Sequence, residues 1–179
     1  EIFLSLFLKN ESKETILTRF FILGLFFFSH KLKPLLIQVT TFTIAHSITL
    51  IFGGLGYITI SPLIIEVIIA ASIIWIGFEN LFRKKMKVSR IGVIFTFGLI
   101  HGLGFASIFK LKELEGTDYY LNLLSFNIGI ELGQLITLLP LIILTPLFNR
   151  LSWYRILIAM PASIIIALFG VEMFIVRIL

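Results

Sequence analysis

From Ile91 to Phe109 the chain carries no formal charge. As a helix this stretch is long enough to cross the ~30 Å hydrocarbon core of a bilayer. It also holds a histidine near its middle, in Phe97-Gly98-Leu99-Ile100-His101-Gly102-Leu103-Gly104-Phe105-Ala106. A titratable ring in hydrocarbon is costly, and small neighbours let other helices come close enough to meet it. On a helix Gly98 and Gly104 fall near the histidine's own face, one turn to either side. Two readings stay open from this stretch alone: a packing seam with a satisfied histidine, or a functional residue.

Composition generalises the first point. Of 179 residues 58% are hydrophobic and only 14% charged. A soluble domain averages nearer a quarter charged, so the chain reads as an all-α integral membrane protein with no separate soluble domain. The net charge of +5 sits in short connections between apolar runs. That placement fits membrane topology signals, not a nucleic-acid face. The absence of cysteine excludes disulfides, thiolate metal sites and thiol catalysis. The chain begins at Glu1 and not at a methionine, so a trimmed longer precursor is the expectation, and no signal peptide is visible in it.

Six spans are predicted, at about 15–29, 34–52, 61–82, 91–109, 121–148 and 156–176, forming one transmembrane bundle. The apolar piece Glu1 to Leu8 is too short to span, and the first span is short and contains Arg19. Ser61-Pro62 suits a helix start, and the fifth span is long enough to tilt or kink at Pro140. No strand pattern or sequence repeat competes with this reading. The first, third and fifth connections are the basic ones (Lys31, Lys33; Arg83, Lys84, Lys85, Lys87, Arg90; Arg150, Arg155). The positive-inside rule puts them in the cytoplasm and both termini outside.

The informative residues are the polar ones within the spans. On the insertion scale a carboxylate at a helix centre costs about 2.5–3.5 kcal/mol, which implies pairing, a wet cavity or a bound ion. The second span is rich in hydroxyls, with Thr43 one turn before His46 and Ser47 beside it. In the third, Glu66 lies near one end while Glu79 and Asn80 lie near the other, and Glu79 points about 140° away from Glu66. Glu79 therefore reads best as a partner for the basic segment that follows. The fifth span carries Asn127, Glu131 and Gln134 at i, i+4 and i+7, a single polar stripe with Gly129 and Gly133 beside it. A carboxylate between two amides can hold a hard or borderline cation or orient a histidine that does so; it can equally be a sealed hydrogen-bond network. No soluble catalytic motif is present, and an intramembrane serine enzyme built on Ser47 or Ser107 with a histidine is a weaker third reading.

Three segments resemble one family in order and separation: Thr41-Phe42-Thr43-Ile44-Ala45-His46-Ser47-Ile48-Thr49-Leu50, the Phe97–Ala106 run, and Phe126-Asn127-Ile128-Gly129-Ile130-Glu131-Leu132-Gly133-Gln134. With Glu79-Asn80 closing the third span, they are similar to the HupE/UreJ membrane proteins from roughly Phe21 to Leu179. Those proteins are described as hydrogenase or urease accessory proteins and nickel permeases of the bacterial cytoplasmic membrane. The resemblance implies transport or handling of a divalent metal such as nickel, by His46, His101 and Glu131. Thr43, Ser47, Glu66, Glu79, Asn80, Asn127 and Gln134 would act in support. It implies a lipid bilayer, a metal ion and metalloenzyme-maturation or membrane proteins as partners, and no nucleic acid. Related members carry an Asp-His pair in the first span, where this chain reads Thr15-Ile16-Leu17-Thr18-Arg19-Phe20. The alternative reading is a non-transporting assembly protein whose polar residues form buried networks.

Overall fold

The computed structural model describes residues 13–28, 32–82, 88–110, 117–149 and 153–179; several side chains within these ranges, Glu131 and Ser107 among them, lie outside the description. Apart from the turn after the second helix, these residues are helical, with no strand among them. The helices are α1 (Lys13–Phe28), α2 (Leu32–Gly54), α3 (Pro62–Phe82), α4 (Val88–Lys110), α5 (Thr117–Asn149) and α6 (Met160–Ile178). A π-helical turn, Arg155–Ala159, leads into α6. Six predicted spans correspond to six helices. The stretch Glu1 to Leu8 falls outside the described residues.

The bundle is built from two close-packed pairs. Along α2, Ala45, Thr49 and Gly53 recur every four residues and meet the matching small residues Gly98, Gly102 and Ala106 of α4. A β-carbon at Gly102 would lie 2.2 Å from both the His46 carbonyl oxygen and Thr49 Oγ1, so only hydrogen fits there. The Thr49 hydroxyl donates to the Leu99 carbonyl at 2.6 Å across the same seam. The second pair is α3 with α6: Gly77 faces Ser163 and Ala167, and Gly170 faces Ala70 and Ile74. Lipid gives no hydrophobic drive for helix association, so such small-residue seams supply it through close contact. Gly98 and Gly102, at i and i+4, form the α4 side of this seam.

Between the pairs stands α1, in contact with each of the other five helices. Its Leu17, Phe21, Ile22, Leu25 and Phe26 are buried in the core. At 16 residues it rises only about 24 Å, less than the hydrocarbon thickness. A centrally packed helix has no need to match the lipid. The opposite case is α5, 33 residues long and helical through Pro140. Leu124, Ile128, Leu132, Leu135, Ile136, Leu139 and Ile143 stay exposed on it, as lipid-facing side chains do. Among the described residues four helices are long and apolar enough to cross a membrane by length and composition (Leu32–Gly54, Pro62–Phe82, Val88–Ala106 and Arg155–Ile178). The protein is a polytopic membrane bundle.

Two assignments need correction. Arg90 belongs to α4, not to the preceding connection, and it is fully buried. It is drawn in because a carboxylate waits on α3. Trp153 and Tyr154 read in the sequence as an interfacial aromatic belt, but Tyr154 turns into the bundle at 4% exposure while Trp153 remains at the surface, so only Trp153 suits that role. Burial pushes the Tyr154 hydroxyl's pKa up to about 12.

Candidate functional site

The polar residues sort into three levels along the bundle. At the end bearing the basic connections, the Arg90 guanidinium ties together four helices, and through Asn80 a fifth. Its Nη1 forms an ion pair with Glu79 Oε2. Its Nε donates to Gln38 Oε1 at 2.9 Å, and Nη2 donates to Asn80 Oδ1 at 3.3 Å. The guanidinium stacks 3.6 Å from the centre of the Phe28 ring, a cation–π contact. Asn80 Nδ2 donates onward to the Gly24 carbonyl at 2.7 Å and to Ser163 Oγ at 3.3 Å. Glu79, expected to partner the basic segment that follows it, thus finds Arg90 inside the bundle, with Asn80 beside it. At the opposite end Glu66 pairs with Arg177 of α6 at 2.5 Å. Neither carboxylate reaches the histidines.

The middle level holds both histidines. His101 is 1% exposed and lies on α4 against Phe21 and Phe42. Its Nδ1 is 3.2 Å from the Thr18 hydroxyl of α1, and its Nε2 is 3.0 Å from the Ser72 hydroxyl of α3. His46, on α2, is also 1% exposed and is flanked by Phe42 and Phe105. Neither of its ring nitrogens has a hydrogen-bond partner among the described residues. Both histidine rings lie against Phe42, at centroid separations of 5.8 Å for His46 and 5.2 Å for His101.

Helix α5 brings its polar stripe to the same level. Thr43 Oγ1 donates to Gln134 Oε1 at 3.0 Å. Asn127 Nδ2 donates to Ser47 Oγ at 2.9 Å, and Ser47 donates to the Thr43 carbonyl at 2.8 Å. The pairs 43 with 134 and 47 with 127 make the two helices antiparallel. Glu131 therefore sits, by register, across from the α2 turn that carries His46, about 60° around that helix from Thr43. Its side chain lies outside the described residues. The Gln134 Nε2 is buried and, like the His46 nitrogens, has no partner among the described residues. An unpartnered buried donor or acceptor costs about 1–3 kcal/mol, so several at one level make an unusual place.

The structure thus gathers His46, His101, Thr43, Ser47, Asn127 and Gln134 at mid-bundle and leaves Glu66, Glu79 and Asn80 at the ends. Among the described residues no three His, Asp or Glu side chains converge as a metal-holding group. Among the polar participants not singled out from the sequence are Thr18, Gln38, Ser72, Ser163, Arg177 and, as a buried ion-pair partner, Arg90. Ser72 falls on the stripe Ile65, Ile69, Ser72, Ile76, whose helical spacing marks a buried face. Arg90 gives no such sign, being one of several basic residues in a row. The Ser72–His101 contact is not a nucleophile with its base. At 2.6 Å from the Ile69 carbonyl the serine proton is already committed, and Ser72 is wholly buried. Ser47 bonds to Asn127 and Thr43, while Ser107 lies outside the described side chains.

No curated protein and no solved structure matches the chain. A family model described as HupE / UreJ protein matches residues 18–177, from the threonine that meets His101 to the arginine that meets Glu66. The chain therefore belongs to the HupE/UreJ family of membrane proteins.

Proposed function

We propose that the protein binds a divalent transition-metal cation, with nickel as its type, at the mid-bundle level and passes it across the bacterial cytoplasmic membrane. His46 and Glu131 are the central ligands and His101 completes the set. Thr43, Ser47, Asn127 and Gln134 line the site and orient the ligands. Imidazole with carboxylate and amide oxygen suits a borderline divalent ion, and a modest number of such donors lets the ion leave again. The basic connections face the cytoplasm and both termini lie outside.

One observation carries this reading: the buried His46 ring, with neither nitrogen satisfied among the described residues, at the centre of a membrane helix. Intramembrane ionisable groups pair, bind or relay, and this imidazole has lone-pair capacity that the described fold does not use. Family membership supports it, since the resemblance implies metal handling. Energy for directed movement would come from an ion gradient or a partner protein. The test is Ni2+ uptake into proteoliposomes. Uptake by the wild type, lost in His46→Ala and in Glu131→Gln while both proteins still fold, is the expected result. Uptake undiminished in His46→Ala would sink the proposal.

A further inference from the structure

Proton accounting around His101 tells its two nitrogens apart. Ser72 Oγ stands 2.6 Å from the Ile69 carbonyl oxygen, a separation that two oxygens reach only with a proton between them. A hydroxyl has a single proton, so Ser72 can only accept at Nε2, 3.0 Å away. Nε2 therefore carries the ring hydrogen of a neutral imidazole. Nδ1 is then the lone-pair atom, and the Thr18 hydroxyl donates to it across 3.2 Å, a long bond. Thr18, Ser72 and His101 are each at most 3% exposed, so water is not on hand to replace either bond.

We infer that Ser72 and Thr18 are positioning residues for the cation site: Ser72 fixes His101 in its Nε2–H tautomer, and Thr18 holds Nδ1 in reserve as the ligating atom. This rests on the proposed metal-binding function. A metal-bound histidine usually donates its other ring N–H to an oxygen, which sets tautomer and ring orientation. Ser72 already supplies that oxygen. Thr18, on the central helix α1, competes with the cation for Nδ1 through one weak hydrogen bond. His101 thus exchanges a hydroxyl for a metal, whereas His46 has nothing to exchange among the described residues. The first span, without an Asp-His pair, acts on the site through a hydroxyl.

The two roles have opposite signs, which a merely structural pair would not give. In the full chain in detergent, titrated with Co2+ alone, Thr18→Val is expected to tighten binding about fivefold, because one hydrogen bond no longer competes. Thr18→Ser keeps the hydroxyl and should match the wild type. Ser72→Ala should weaken binding roughly 10- to 100-fold, as loss of such oxygen partners does. In the metal-free wild type, 15N spectra of His101 should show a protonated Nε2 and an unprotonated Nδ1, a readout that needs no variant to fold. An Nδ1–H tautomer, or Thr18→Val and Ser72→Ala shifting affinity in the same direction, would overturn this inference and leave the functional proposal standing. Absence of Co2+ binding from every protein, wild type included, would overturn the functional proposal and with it the ligand role of Nδ1.

Discussion

The Arg90 cluster and the His46 level lie about 16 Å apart along α4, taking 1.5 Å per residue from 90 to 101. They solve the problem of polar groups in lipid in opposite ways. Around Arg90 a full charge is buried completely, yet three guanidinium nitrogens have partners and the ring of Phe28 covers the face. Around His46 the described polar groups are imidazoles, hydroxyls and amides, yet both ring nitrogens and the Gln134 amide nitrogen go unpartnered among the described residues. A satisfied network is what architecture asks for, because half-satisfied ones destabilise. Lone pairs left without partners in the core do nothing for stability, so their use has to be sought in binding. The same chemistry of polar atoms in hydrocarbon thus separates a fastening from the level at which we propose the cation binds.

The sharpest way to break that distinction is to remove Arg90. Arg90→Leu leaves Glu79 buried without its counter-charge and should cost about 3–5 kcal/mol, read as loss of the folded monodisperse protein or a steep fall in Tm. Arg90→Leu with Glu79→Leu should recover much of that loss, since apolar replacement of both partners is often neutral. If the single and double variants fell equally, the cluster would be more than an ion-pair fastening. Next in size is Gly102→Ala. Its new methyl would press on the His46 carbonyl, and separating α2 from α4 should cost about 1–3 kcal/mol in a denaturant titration. His46→Phe should go the other way: no loss of stability, with a gain of up to about 1–3 kcal/mol if the orphaned nitrogens are the burden they look to be. The smallest effect belongs to Gln134→Leu. It gives up one bond from Thr43 and removes one unpartnered amide, so the two changes should nearly cancel in Tm.

Much of this was legible in the sequence because membrane helices announce themselves by length and apolarity. The stripe Asn127, Glu131, Gln134 followed from helical spacing alone, and the structure sets its two amides against Thr43 and Ser47 of α2. The split between Glu66 and Glu79 followed from helix rotation and is met by separate arginines at opposite ends. Arg90 could not be read because a basic residue at a helix start looks like its exposed neighbours until the carboxylate facing it is known. The role of α1 was hidden too. A short span with an arginine reads as weak, and only its central position shows why 16 residues suffice. Thr18 and Ser72 are single hydroxyls on two separate helices, and only the fold shows that both meet His101, Ser72 while bonding its own helix.

The central claim is that His46 serves a cation and not the fold. It is tested most directly by the thermal unfolding of wild type and His46→Phe, each with and without Ni2+. Ni2+ should raise the wild-type Tm and leave that of His46→Phe unchanged, and the metal-free Tm of the variant should equal or exceed that of the wild type. A variant that keeps the Ni2+ shift, or that melts as early as Arg90→Leu, would contradict it.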